Sequence, residues 1–330
     1  MSELEHFLAQ WRQPSPTITV TTSGSTGTPK TIHVYKERMR ASARATCQAL
    51  HLHEGQRALL CLSTRYIAGM MMVVRALDCG MQLVEAPVSQ HPLSTDVGEI
   101  HFAAMVPAQV WASLNVERER ERLSHIGCLI IGGGSIDEAL ERELSSFPNA
   151  IYSTYGMTET LSHVALRRVS GSDASPWYRP LPGVTISAGA DNCLVIDAPH
   201  VCEGRLHTHD IVCFHPDGIR FQILGRSDNV ICSGGVKIQT EEAERLLRPH
   251  ISFPFMITKR PHPQWGEEVV LLVEQTAGLS KQIDDVTLLE TCAGLLPLHW
   301  SPRAVVRVCR LPLTATGKPD RATAQKLAKD

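Results

Sequence analysis

Between residues 57 and 153 short apolar runs alternate with longer helical stretches, and this alternation constrains the fold more than any other feature. The runs at 57–63, 81–85, 103–106, 128–131 and 150–153 have strand length, whereas 68–79, 107–114 and 137–144 have helix length, with Pro107 at a helix start. Strands separated by helices pair in parallel, because the crossover lays a helix across the sheet face. We expect an α/β fold: a large N-terminal domain with a mostly parallel sheet. Ahead of it, 18–22 reads as a strand running into a Gly/Ser/Thr loop and 37–50 as a helix. After residue 170 short strand-like runs follow at 184–187, 193–196, 204–207, 211–214 and 219–224, and Pro216-Asp217-Gly218 is a hairpin turn signal. These predict a small β-rich subdomain. Beyond residue 228, helices at 241–247 and 286–293 and strands at 254–259, 268–274 and 304–308 predict a small, mobile α+β domain. The expected division is 1–227 and 228–330, and 330 residues are enough for one large unit and one smaller one.

A formal net charge of −2 supplies no basic footprint, so neither nucleic acid nor a polybasic membrane surface is an expected partner. The apolar run near residue 70 is broken by Arg75 and is far too short to span a bilayer, so no membrane insertion is expected. The polar, acidic start Met1-Ser2-Glu3-Leu4-Glu5-His6 does not resemble a signal peptide, and a cytoplasmic protein is expected. The cysteines are scattered with no C-x-x-C pair, which predicts small, buried, reduced residues rather than zinc ligands or a disulfide frame. His207-Thr208-His209 lacks companions at metal-ligand spacing.

The chemistry is concentrated in Thr21-Thr22-Ser23-Gly24-Ser25-Thr26-Gly27-Thr28-Pro29-Lys30. Glycines let backbone N–H groups approach an anion, hydroxyls add donors and the lysine adds charge. The glycine spacing is not that of a Walker A loop. Gly132-Gly133-Gly134 follows a strand and opens a helix, with Ser135 as the expected N-cap and Glu138 in the reciprocal position. Taken alone, this is also the pattern of a tight strand-to-helix turn.

The decapeptide resembles the phosphate-binding signature of the acyl-adenylate-forming superfamily of acyl- and aryl-CoA synthetases, adenylation domains and luciferases. Four further stretches resemble that superfamily's motifs in the same order: Tyr155-Gly156-Met157-Thr158-Glu159-Thr160, Leu206-His207-Thr208-His209-Asp210, Gly225-Arg226-Ser227-Asp228 through Gly235, and Pro312-Leu313-Thr314-Ala315-Thr316-Gly317-Lys318. The resemblance implies two half-reactions. A carboxylate attacks the α-phosphorus of ATP and releases pyrophosphate; a thiol, that of coenzyme A, then displaces AMP. It also implies roles. Thr22, Ser23, Gly24, Ser25, Thr26, Gly27 and Lys30 would hold the β- and γ-phosphates. Gly132, Gly133 and Gly134 would pass between adenine and acyl group, and Tyr155, Gly156 and Met157 would lie against adenine. Thr158 would contact the α-phosphate and Glu159 would coordinate Mg²⁺. Asp210 would accept from the ribose hydroxyls with help from Arg226. Asp228 would be the hinge, and Lys318 would bridge carboxylate and α-phosphate. Ser233, Gly234 and Gly235, and more weakly Lys237, would line the path of CoA. His209 departs from the family's usual glycine before the ribose aspartate.

Residues 65–77 resemble the substrate-side segment of short o-succinylbenzoate–CoA ligases, with Tyr66 where many relatives carry histidine. That implies a small carboxylic acid with a second carboxylate, for which Arg65, Arg75 and His163 are the candidate partners. Another aryl- or fatty-acid–CoA ligase, and a non-catalytic nucleotide-binding derivative, stand as alternatives. Only about twenty residues precede the phosphate loop, where the family usually has a large segment. An uncovered sheet edge invites pairing, so a homodimer is expected.

Overall fold

The computed structural model describes residues 1–21, 31–275, 283–314 and 318–329. The phosphate-loop residues Thr22 to Lys30 lie outside them. The chain opens with α1 (Glu3–Arg12), which sequence reading did not anticipate. Ser2 caps it, accepting from the Glu5 N–H while Glu5 reaches back to the Ser2 N–H. An antiparallel ribbon follows, β1 (Thr17–Thr21) and β2 (Thr31–Tyr35), and its two strands flank the loop motif. Helix α2 (Lys36–Ala49) buries Met39, Ala43, Thr46 and Cys47, one helical stripe.

The main sheet is built from β3 (Arg57–Leu60), α3 (Ile67–Cys79), β4 (Gln82–Glu85), β5 (Phe102–Met105), α4 (Pro107–Leu114), α5 (Glu117–Ser124), β6 (Cys128–Ile131), α6 (Glu138–Ser145), β7 (Ala150–Gly156), β8 (His163–Arg168) and β9 (Arg179–Pro180). The strand order is β4-β3-β5-β6-β7-β8-β9, parallel from β4 to β7 and antiparallel for β8 and β9. Strands β5 and β6 are buried at every position, as a sheet covered on both faces requires. The two-residue period sorts the side chains. Ala58, Leu60, Phe102, Ala104, Cys128 and Ile130 join the core of α2 and α3, whereas Leu59, Ala103, Met105, Leu129, Ile131 and Ile151 join that of α4 to α6.

The second sheet is antiparallel: β10 (Thr185–Ala188), β11 (Cys193–Asp197), β12 (Arg205–Phe214) and β13 (Phe221–Arg226). Its Leu194, Ile196, Val212 and Phe221 share the α2–α3 core. The runs expected at 204–207 and 211–214 are one strand, β12, because a register shift at Ile211/Val212 absorbs the irregularity without ending the ladder. Next come β14 (Val230–Ser233), β15 (Val236–Gln239), α7 (Thr240–Leu247), β16 (Phe255–His262), β17 (Gly266–Glu274), α8 (Asp285–Leu295), β18 (Ala304–Val308) and α9 (Arg321–Leu327). Their sheet runs β15-β14-β17-β16, with β18 parallel to β17. They build their own cores, in which, among the described residues, none before Ile231 takes part.

Two expectations are corrected. Cys47 and Cys79 form a disulfide that ties α2 to α3, and Cys213, Cys232 and Cys309 are exposed, so the cysteines are not uniformly buried thiols. The cap of α6 is Asp137, which accepts from Leu140 N–H at 2.8 Å, rather than Ser135. No helix among the described residues is long and apolar enough to cross a membrane.

Candidate active site

The candidate residues collect beyond the carboxyl ends of the parallel strands: Arg65 and Tyr66 after β3, Gly132 to Gly134 after β6, and Tyr155 to Glu159 at and after β7. Open α/β sheets bind ligands along this edge. A Cβ on Gly156 would lie 2.3 Å from Ser162 O, and one on Gly132 would lie 2.5 Å from Thr154 Oγ1. Only bare backbone fits at either position.

Asp210 is the centre of the site. It is 8% exposed, on β12, directly opposite Arg226 of β13. Its Oδ2 accepts from the Tyr155 hydroxyl at 2.6 Å and its Oδ1 from Arg226 Nη1 at 3.1 Å. Its own N–H donates to Thr208 Oγ1 at 3.0 Å. The Tyr155 ring meets Phe221 edge-on, at 5.5 Å between centroids. Burial, then the Asp210 charge and hydrogen bond, push the Tyr155 pKa far above its ordinary value, so the phenol is a fixed donor. Arg226 also grips Asp228, at 2.9 and 2.6 Å. Burial opposes ionisation of Asp228, but the Arg226 hydrogen bond and charge outweigh it and the carboxyl lies below its usual range. The Asp228 bond in turn raises Arg226.

Lys318 reaches this network from the C-terminal region. Its N–H donates to Thr314 Oγ1 at 3.1 Å and its carbonyl accepts from Thr314 N–H at 2.7 Å. The residue is exposed as a whole, yet its ammonium is desolvated. That desolvation lowers its pKa; Arg226 pushes the same way and Asp210 pulls back. Residues 155, 210, 226 and 228 thus form one hydrogen-bonded network, and the charges of Arg226 and Asp210 act on Lys318.

Thr158 and Glu159 lie in a short 3₁₀ turn after β7, braced by Thr160 Oγ1, which accepts from Met157 N–H at 3.0 Å and donates to Ser162 O at 2.7 Å. Neither the Thr158 hydroxyl nor the exposed Glu159 carboxylate has a side-chain partner among the described residues. Glu159 is thus available for a cation. Ser233, Gly234 and Gly235 make the β14–β15 hairpin, whose positive φ angles of 56° and 84° at the glycines explain the pair. The Gly234 N–H donates to Trp265 O at 3.0 Å.

The three residues expected on the acyl side part company. Arg65 is exposed and paired to Glu3 of α1 at 2.8 Å. Arg75 and His163 are buried together. Arg75 donates to Ser162 Oγ; Ser162 Oγ lies 3.3 Å from His163 Nδ1, and His163 Nε2 lies 3.1 Å from Thr46 Oγ1, which donates to Ser42 O at 3.1 Å. Burial and then the Arg75 charge push the His163 pKa well below its ordinary value, so the imidazole is neutral. Burial lowers Arg75 to about 9, and its Nε has no partner among the described residues. Among the described residues no carboxylate pairs with this guanidinium. Tyr66 caps α3 and lines a cavity with Arg65. Sequence reading missed Thr208, Ser162 and Thr46, for which single hydroxyls carry no signal. It also missed α1, which the Ser2-x-x-Glu5 capping pattern does signal.

The AMP-binding enzyme family matches residues 8–199. An acyl-CoA synthetase (AMP-forming)/AMP-acid ligase II-like protein of Dyadobacter fermentans is 33% identical, with 98% of this chain and 93% of that one covered and a TM-score of 0.65. The 2-succinylbenzoate–CoA ligase of Bacillus cytotoxicus is 23% identical across 94% of this chain and 69% of its own length. The o-succinylbenzoate–CoA synthetase of Bacillus subtilis in complex with ATP and magnesium superimposes with a TM-score of 0.76 at 21% identity, over 94% of this chain and 69% of that one. The family match over more than half of the chain and the one-third identity agree, and the chain belongs to the AMP-binding enzyme family of AMP-forming acid–CoA ligases.

Proposed function

We propose that the protein is an ATP-dependent acid–CoA ligase acting on o-succinylbenzoate, first forming the acyl-adenylate and pyrophosphate, then the acyl-CoA and AMP. The observation that carries this reading is the Tyr155–Asp210–Arg226 network with Lys318 beside it. A carboxylate has about four acceptor sites. Asp210 uses one for Tyr155 and one for Arg226, and the remaining two suit the two hydroxyls of a ribose. Tyr155 and Arg226 fix its orientation, so the nucleoside is positioned before reaction. Lys318, beside that aspartate, would place a cation where charge develops between the attacking carboxylate and the α-phosphate. Thr158 would donate to that phosphate. Glu159, exposed and without a side-chain partner among the described residues, suits Mg²⁺, which when bound neutralises polyphosphate charge. We assign triphosphate binding to Thr22 to Lys30, the thiol path to Ser233, Gly234 and Gly235, and the re-aiming of residues 228–330 to Asp228. A buried Arg75 lacking a carboxylate favours an acid with a second anionic group, because an uncompensated interior cation is costly.

The test is AMP release with ATP, Mg²⁺ and CoA, comparing o-succinylbenzoate with benzoate and octanoate, and light scattering after size exclusion to read the proposed homodimer. We expect AMP and thioester with o-succinylbenzoate. Lys318→Ala should lose about 10²–10³ in adenylation while still binding ATP. ATP binding without AMP from any acid overturns the reading.

A further inference from the structure

Helix α7 joins the two parts of the chain by its two faces. Ala243 and Leu247, four residues apart, are buried in the core built after residue 230. Glu241 and Arg245, also four apart, reach the other way, toward β13 and α6. Gln239, just ahead of the helix, donates from Nε2 to Arg226 O at 3.1 Å and to Glu241 Oε2 at 3.1 Å. A Cβ on Gly225 would lie 2.2 Å from Gln239 Nε2 and 2.9 Å from Glu241 Oε2, so both side chains rest on bare backbone of β13. Glu241 Oε1 also accepts from Asn229 Nδ2 in the connecting turn. Farther along, Arg245 Nη1 donates at 3.1 Å to Glu138 Oε1, at the start of α6 and shortly after the Gly132–Gly134 turn. Glu242 holds the same guanidinium by two bonds of 2.8 Å, which leaves Nη1 aimed at Glu138.

The same helix holds the Lys318 segment. Glu244 of α7 is buried and accepts from Arg321 Nη1 and Nη2 at 2.6 and 2.8 Å, three residues past Lys318. A bidentate pair of this kind fixes orientation as well as distance. Gln239, Glu241 and Arg245 thus seat α7 on β13 and α6, and Glu244 seats the Lys318 segment on α7. Arg226, whose side chain holds Asp210, accepts from Gln239 at its carbonyl, so one element sets both the aspartate side and the lysine side. Residues 228–330 also carry Ser233, Gly234 and Gly235, assigned above to the thiol step. A turn of this unit that withdraws Lys318 and presents that hairpin must break the contacts to Arg226 and Glu138.

We propose that Gln239, Glu241 and Arg245 are positioning residues that clamp residues 228–330 in the adenylate-forming pose and thereby set the balance between the two half-reactions. The inference rests on the acid–CoA ligase reading and deepens it by naming the contacts that release before thioester formation. An exposed ion pair and single hydrogen bonds are individually weak, so the clamp holds the pose yet lets go in each turnover.

The experiment reads the two steps separately, with whichever of o-succinylbenzoate, benzoate or octanoate the parent turns over. Adenylation is followed by pyrophosphate exchange, and thioester formation by adding CoA to the prepared acyl-adenylate. Weakening one of two poses raises the rate of the step made from the other relative to its own, whichever pose predominates. Arg245→Ala should raise the ratio of thioester to adenylation rates about two- to fivefold, and Gln239→Ala/Arg245→Ala about tenfold. Glu241→Ala should move the ratio in the same direction. Glu138→Ala should match Arg245→Ala, and combining those two should change the ratio no further, because they remove one contact. Glu138 and Arg245 are more than half exposed, so the fold tolerates their loss. A merely structural role would slow both steps together and leave the ratio where it was. A parent-like ratio in Gln239→Ala/Arg245→Ala overturns the inference and leaves the ligase reading intact. No pyrophosphate exchange by the parent with any of the acids overturns both.

Discussion

At the scale of single residues, the chemistry turns on how a few charges are held. Asp210 is buried and braced from two sides, so it cannot swing away when one hydrogen bond breaks. Lys318 is different, a cation whose pKa is already depressed by desolvation. A lowered pKa means the ammonium is fully charged only at lower pH and is lost sooner as pH rises. The alkaline limb of the adenylation rate should therefore fall at a pH below lysine's ordinary value of 10.5. In Lys318→Arg the limb should move upward or vanish, since a guanidinium stays charged beyond about pH 12, although kcat falls with the changed reach. A pH–rate profile with the same limb in both proteins would show that another group titrates.

At the scale of elements, α2 and α3 form a unit that carries Thr46 and Arg75. The helix α3 is apolar around most of its surface and is buried accordingly; a Cβ on its Gly69 would lie 2.2 Å from Ser63 O, so helix and preceding turn touch through backbone. The disulfide from Cys47 to Cys79 closes a segment of separation 32 one turn beyond Arg75. Restricting the unfolded chain by such a loop is worth roughly 3–4 kcal/mol. Dithiothreitol should lower Tm of the parent by several degrees, and a Cys47→Ser/Cys79→Ser protein should melt at that lower temperature with or without reductant. Identical melting of oxidised and reduced parent would exclude a stabilising crosslink.

At the scale of the molecule, residues up to Phe221 and residues from Ile231 onward close separate cores, and the chain between them passes through Arg226 to Asn229 in a short turn. Two cores joined by one turn can change their relative pose without repacking either. If Asp228 is the pivot, Asp228→Pro should retain adenylation, read by pyrophosphate exchange, and slow thioester formation about tenfold or more, because proline fixes φ. Asp228→Ala, which loses only the Arg226 pairing, should keep both steps within a few-fold. Equal loss of both steps in the proline variant would argue for a local structural role.

The sequence by itself determined the alternation of strands and helices, the β-rich stretch after residue 170 and the ordered motifs, because side-chain periodicity and glycine-bearing turns are local properties. Strands β5 and β6 could be placed from their apolar runs alone. Only the tertiary structure decided that Tyr155 orients Asp210, that Arg65 is spent on Glu3, and that Arg75 and His163 share a buried chain of hydroxyls. These pairs join residues tens of positions apart, and nothing local distinguishes a surface arginine from a buried one. The helix α1 sits between these limits: its capping box is written in Ser2 and Glu5, but its place in the fold depends on Phe7 and Trp11 finding a core built by residues that follow.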